Sequence, residues 1–195
     1  MKVIYDSGTT IKVKKAILTI GVFDGVHRGH QSLIKQVIRK ARRANGNSCV
    51  MTFHPHPMHV LHPGLWCPLL ISLPHRLRLL KEMGVALCLV INFTKRFARL
   101  YAEEFIQEYI VKKINPQEII LGDDFRFGQN REGTLELLKA LGERRGWNIR
   151  IIKAIKEDHL RISSTVIRKL IDEGKLQRAS HLLGRHVSLC ARVVP

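Results

Sequence analysis

The sequence predicts an α/β protein, a parallel sheet with helices on both faces, and three observations carry that reading. Short apolar runs alternate with amphipathic stretches of helical period, in the order β-α-β-α-β-α-β-α-β-α. The run from Val85 to Phe93 is almost continuously apolar, as a strand covered on both faces is. The first apolar run, Ala16 to Ile20, leads straight into a turn containing Gly21, Gly25 and Gly29, after which a helical pattern begins.

The elements follow in order. Residues 1–15 are polar and Lys-rich, with Ser7-Gly8 as a turn, and read as an irregular or short edge segment. Helix starts near Gly29, shows Leu33, Ile34, Val37 and Ile38 on one face, and stops at Asn45-Gly46. Ser48 to Phe53 is the second strand. A loop with Pro55, Pro57, Pro63 and Pro68 runs to about Ile71. Ser72 is an N-cap with Pro74 in the first turn, and that helix ends at Gly84 with Leu73, Leu77 and Leu80 on its buried face. Val85 to Phe93 is the third strand. A helix from Ala102, with Glu103 and Glu104 in its first turn, ends near Asn115-Pro116. Glu118 to Gly122 is the fourth strand, Gly133 to Arg145 a helix and Trp147 to Ile152 the fifth strand. Ser163 or Ser164 caps the next helix, and residues 175–184 form a small last one.

Composition narrows the function classes. The chain has 195 residues, enough for one domain with a real core, and 45% are hydrophobic. No apolar run reaches the roughly 18 residues of a membrane helix, and the N-terminus lacks a signal-peptide core, so a cytoplasmic location is expected. Cys49, Cys67, Cys88 and Cys190 are far apart, which argues for reduced thiols rather than a disulfide framework or a zinc knuckle. The net charge is +17, from 33 Lys and Arg against 16 Asp and Glu. Such a field attracts polyanions, and equally ATP or a flavin phosphate.

Three junctions carry the chemistry. At the first, His27 and His30 sit where a glycine turn meets a helix start. Free N–H groups and the positive end of the helix dipole favour an anion there, and two imidazoles can donate to phosphate oxygens. At the second, the strand ending at Gly122 runs into Asp123, Asp124, Phe125 and Phe127. The carboxylates are candidates for Mg²⁺ or adenosine hydroxyls and the rings for stacking, although a plain capped turn has the same composition. At the third, Ser163, Ser164 and Thr165 open a helix with Arg168 one turn in. The proline loop holds His54, His56, His59 and His62. No acidic residue or Cys pair lies among them, and no metal site is assigned.

At these residues the sequence resembles a known family. G-V-F-D-G-V-H-R-G-H-Q, Gly21 to Gln31, is similar to the first motif of the H-x-G-H nucleotidylyltransferases. Within them it most resembles the FMN adenylyltransferase module of bacterial bifunctional riboflavin kinase/FAD synthetases. Thr52 to Pro57 matches that family's T-F-x-P-H-P, with His54 standing where the family commonly has an acidic residue. The stretch from Phe93 through Ile106 resembles F-x-x-x-F-A-x-L-x-A-E-E-F-I, with Phe93 and Phe97 open to a flavin-lining or a core role. Gly122 to Gly128 resembles G-x-[DN]-F-x-F-G, and Ile162 to Arg168 resembles I-S-S-T-x-I-R.

The resemblance implies a Rossmann-like nucleotidylyltransferase fold and a FAD synthetase, moving AMP from ATP to FMN to give FAD and pyrophosphate. The FMN phosphate would attack the ATP α-phosphorus directly. The implied catalytic residues are His27, His30 and Arg168. Gly21, Phe23, Asp24, Gly25, Gly29, Ser163, Ser164 and Thr165 would meet ATP and its phosphates. Phe53, His56, Pro57, Asp124, Phe125 and Phe127 would meet the flavin. Mg²⁺ is expected with ATP, with FMN as substrate and FAD as product. Residues 1–185 read as the adenylyltransferase domain. Residues 186–195 resemble the start of the family's riboflavin kinase domain. The chain has neither the G-x-x-x-G-R nor the P-T-x-N kinase signature, so riboflavin kinase activity is not expected from it, and either a separate riboflavin kinase is its partner or the chain is a shortened form of a two-domain protein. Neither a nucleic acid nor a membrane is expected as a partner. Two alternatives stay open: a transferase for another phosphorylated acceptor, and a basic nucleic-acid-binding protein on the same fold.

Overall fold

Successive side chains of a strand point to opposite faces, and that alternation builds this sheet. A computed structural model of the chain describes residues 1–6, 11, 13–158, 160–188 and 190. The strands β1 (Lys2–Tyr5), β2 (Ala16–Ile20), β3 (Asn47–His54), β4 (Leu87–Asn92), β5 (Glu118–Gly122) and β6 (Asn148–Ile152) form one sheet in the order β1-β4-β3-β2-β5-β6. Every pairing is parallel. Leu18, Met51, Leu89 and Leu121 go to one face, Ile17, Val50, Val90 and Ile120 to the other.

Each face has its own cover. The helices α1 (Arg28–Arg43) and α3 (Leu73–Glu82) bury Ile34, Val37 and Leu80 against the second set. Helix α5 (Ala102–Phe105), the wider turn that continues it and α6 (Leu135–Arg145) bury Phe105, Ile110 and Leu138 against the first. The last helices, α7 (Ser164–Asp172) and α8 (Leu176–Leu183), make a smaller cluster around Ile167, Ala179 and Leu183. Between them lie the short α2 (Pro57–Leu61), α4 (Lys95–Ala98) and the hairpin of β7 (Lys156–Glu157) with β8 (Leu160–Arg161). Among the described residues no helix is long and apolar enough to cross a membrane.

The chain runs from β2 outward through β3 to β4, then returns to lay β5 on the other side of β2. The connections therefore diverge at the carboxyl ends of β2 and β5. A crevice opens there, the position at which open α/β sheets bind ligands.

Most helix starts follow from side-chain caps. Ser72 Oγ accepts from the His75 N–H, Thr134 Oγ1 from that of Leu137 and Ser163 Oγ from that of Val166. Helix α6 stops at Gly146, whose φ of 71° is left-handed.

Several expectations need correction. Of the two readings of the N-terminal segment, the short edge one holds, as a strand paired residue for residue with β4 from Lys2 to Tyr5. The Ser7-Gly8 turn lies outside the described residues, as do residue 189 and residues 191–195 of the C-terminal tail. The single helix from Ala102 is α-helical only to Phe105, and Ile106–Val111 is a π-helix. Its buried residues Ile106 and Ile110, and Ile114 just beyond it, recur every four positions, a spacing that a wider turn keeps in line on the core. The proline loop contains α2, and the hairpin of β7 and β8 is an addition to the expected elements.

Gly25 shows how tightly the turn after β2 is drawn. Its φ is 80°, and an added Cβ would stand 2.7 Å from Leu70 Cδ1. Leu70 can yield but the backbone angle cannot, so Gly25→Ala should cost about 2 kcal/mol. The melting temperature should then drop by roughly 4–8 °C, which thermal unfolding followed by circular dichroism would read.

Candidate active site

The turn after β2 delivers two histidines to the crevice. His27 is the N-cap of α1, and its Nδ1 accepts from the His30 N–H at 3.4 Å. That bond requires the tautomer with its proton on Nε2, leaving one donor for another group. The His27 and His30 rings stack with centroids 3.6 Å apart, and Phe23 meets His30 edge-on at 5.2 Å. Burial pushes the His27 pKa down to about 4, although Asp24 pulls it up. Burial also holds His30 well below its ordinary value, with His27 and Arg76 adding to the effect. Both rings are neutral at physiological pH, so they act as oriented donors and acceptors rather than as cations.

Asp24 binds the crevice together. It is 1% exposed. Its carboxylate accepts from the Leu70 and Ile71 N–H groups at 3.1 and 3.2 Å, and from Arg168 Nη2 at 2.6 Å. Arg168 Nε also donates to the Pro68 carbonyl at 2.7 Å. Ser164 Oγ donates to the Asp24 carbonyl at 2.8 Å. The first and third motifs are thus joined directly, with the N-terminus of α7 set beside that of α1.

The result is one cavity of about 940 Å³. It takes in every site residue that the sequence predicts except Gly25, which stands outside the lining and shapes the turn. One end is polar, made by His27, His30, Ser163, Thr165 and Arg168. The other is aromatic: Phe53, Phe93 and Phe97 form a cluster with centroids 5.2–5.9 Å apart, and Phe125 stacks on Phe127 at 5.5 Å.

The roles available to these residues differ from the sequence expectation in places. Asp24 was expected to meet ATP phosphates. Its carboxylate is instead taken by Arg168 and two backbone N–H groups, and an anion has no reason to bind another anion there. The hydroxyl proton of Ser164 goes to the Asp24 carbonyl, while Ser163 keeps its proton after capping α7, and Thr165 is exposed. Phe23 and Phe127 are buried core side chains that also border the cavity. His56 is buried with its Nδ1 accepting from the Met58 N–H, so it shapes the start of α2. Arg161, at the end of β8, was assigned no role from sequence. It lines the cavity and pairs with Asp123 at 3.1 Å and Asp124 at 2.7 Å. The signal was its place two residues before Ser163. The hairpin that aims it has strands too short to show periodicity.

The buried imidazoles set a pH dependence of stability. In the unfolded chain His27 binds a proton near pH 6.5, in the folded chain only near 4. Protons therefore favour unfolding between those values. The contribution is complete above pH 6.5 and is lost as pH falls toward 4, amounting to about 3 kcal/mol for this one group. His56, also brought down to about 4 by burial, adds to it in the same direction. Urea midpoints should fall steeply from about pH 7 to about pH 5, and less steeply in His27→Asn.

A histidine turn at the switch point of a doubly covered parallel sheet is the arrangement of a nucleotidylyltransferase-like α/β fold. The chain belongs to the FAD synthetase family, whose model matches residues 10–166. It is 39% identical over 178 residues to the bifunctional riboflavin kinase/FMN adenylyltransferase of Escherichia coli (strain K12), covering 91% of this chain and 57% of that protein. A putative bifunctional riboflavin kinase/FMN adenylyltransferase of Geobacillus thermodenitrificans is 34% identical, over 93% of this chain and 96% of its own length. Among solved structures, that of a macrolide-efflux protein from Streptococcus pneumoniae superposes with a TM-score of 0.83 at 31% identity, over 96% of this chain and 63% of that one.

Proposed function

We propose that this site transfers AMP from ATP to FMN, giving FAD and pyrophosphate. The observation that carries the reading is the two-ended cavity, in which two helix N-termini and a neutral histidine pair face an aromatic wall. A phosphate binds the first end and an isoalloxazine or adenine ring fits the second. Relatives named riboflavin kinase/FMN adenylyltransferase support the reading, and the family match is to FAD synthetase.

An FMN phosphate oxygen forms a bond to the α-phosphorus as the bond to the bridging oxygen breaks, and pyrophosphate leaves. The nucleophile is already ionised at neutral pH, so no base is required. Negative charge grows on the leaving oxygens, and the residues present answer it by fixed donors. His27 Nε2–H, the free N–H groups of α1 and α7, the Ser163 and Thr165 hydroxyls and the remaining face of Arg168 are those donors. Neutral imidazoles suit this role, because a protonated stacked pair would repel itself. Mg²⁺, if it accompanies ATP, would offset part of the phosphate charge. The cavity is lined by oxygen donors of the hard type it takes, and Asp124, now paired with Arg161 at 2.7 Å, is the lining carboxylate that would hold it.

The test is incubation of the protein with ATP, Mg²⁺ and either FMN or riboflavin, followed by chromatography of the flavins. FAD from FMN and no FMN from riboflavin is expected. No flavin product from FMN would contradict the reading.

A further inference from the structure

Arg76 heads the largest fully buried side chains among the described residues, at 1% exposure. It lies in the first turns of α3, behind the polar end of the cavity and not on its wall. Nη1 donates to Thr52 Oγ1 and to the Phe53 carbonyl, both at 3.1 Å. Nε is buried with no hydrogen-bond partner. Among the described residues no carboxylate forms an ion pair with this guanidinium. Asp24 acts on it through space, but Asp24 is bonded to Arg168 at 2.6 Å. Two guanidiniums therefore share one buried carboxylate, and the surrounding His27, His30 and His56 are neutral. Behind the cavity wall, Arg76 therefore stands as a buried positive charge without a carboxylate of its own.

Structure alone gives poor reason for such a residue. Burying an unpaired cation is costly, and an apolar side chain of similar volume often leaves a protein no less stable. A glutamine ends two bonds short of Nη1, so a neutral variant gives up the Thr52 hydrogen bond together with the charge. That contact matters to the site, since Thr52 Oγ1 in turn donates to the Val22 carbonyl at 2.9 Å and so ties β3 to the histidine turn.

We propose that Arg76 is an electrostatic positioning residue, a buried unpaired cation behind Thr52 and Phe53 whose charge is balanced by the phosphate groups of the bound substrate. The inference rests on the reading of the cavity as a nucleotide site. Arg76 acts through the field it sets across Thr52 and the histidine turn, where low polarity lengthens its reach. The recognised chemistry is a di- or triphosphate rather than a single neutral ring.

Calorimetric titration with inorganic pyrophosphate tests it, on the intact protein and on Arg76→Met, Arg76→Gln and Arg76→Lys. The two neutral variants should melt no lower than the parent and bind pyrophosphate about tenfold or more weakly. Arg76→Gln stays polar but loses both the charge and the Nη1 donor, so the lysine variant is the one that isolates the charge. Arg76→Lys should recover most of the affinity. Binding by folded Arg76→Met or Arg76→Gln within about twofold of the parent would overturn the proposal. So would a lysine variant no better than the glutamine one, or failure of both neutral variants to fold while the lysine variant does, since the charge would then be structural. A parent that binds no pyrophosphate would overturn the nucleotide reading as well, whereas equal binding by all four proteins would overturn only the role of Arg76.

Discussion

Replacing His27 by Asn should lower kcat by about 10²–10³ while leaving the fold intact. Asparagine is a strong N-cap, and its side-chain oxygen can accept from the His30 N–H as Nδ1 does now. The substitution then keeps the cap and removes the Nε2–H donor, together with the ring that stacks on His30. If that donor acts only on charge that grows as pyrophosphate leaves, kcat and kcat/KM fall together and KM for ATP hardly moves. Steady-state kinetics with a melting curve checks both halves. A variant with parental kcat would remove His27 from the chemistry. A large rise in KM alone would make it a ground-state contact. His27→Ala should lose the cap too, about 1 kcal/mol more, and is the less clean probe.

Asp24→Ala should be the most destabilising single change at the site, by about 3–5 kcal/mol. It strips Arg168 of its charge partner and leaves the buried N–H groups of Leu70 and Ile71 without an acceptor. The expected drop in melting temperature is on the order of 10 °C. Asp24→Asn should fall between, because its amide oxygen still serves the backbone N–H groups while its NH₂ faces a guanidinium. Activity should fall in both, since Asp24 sets Arg168 and, through its carbonyl, Ser164. A loss below about 1 kcal/mol in Asp24→Ala would contradict the role of this carboxylate as the tie between the two motifs.

The contrast between these two residues shows what a sequence discloses. His27 and Ser163 were legible because their chemistry is local. Each caps the helix it precedes, and an apolar run, a glycine turn and a cap lie within a few residues of one another. The strands were legible for the same reason, since Ala16–Ile20 and Glu118–Gly122 stand where the apolar runs are. Asp24 was visible as a polar residue in the motif, but not as the partner of Arg168, which is 144 positions away. Nothing in a sequence marks which carboxylate a distant arginine will meet. Arg76 was hidden more deeply. It sits in a helix recognisable by its leucines, where an arginine reads as a solvated residue, and only the packing of α3 under β3 buries it. Arg161 was lost with the hairpin, and the π-helix after Phe105 with its spacing of four, which an ordinary helix pattern also tolerates.

The measurement that bears most directly on direct transfer is the fate of labelled ATP. With FMN as acceptor, label in the α-phosphate should appear in FAD, and label in the γ-phosphate should appear only in pyrophosphate. Neither should remain on the protein. Label from the γ-phosphate in the flavin, or α-label held covalently by the enzyme, would contradict an in-line attack of FMN on the α-phosphorus at this histidine turn.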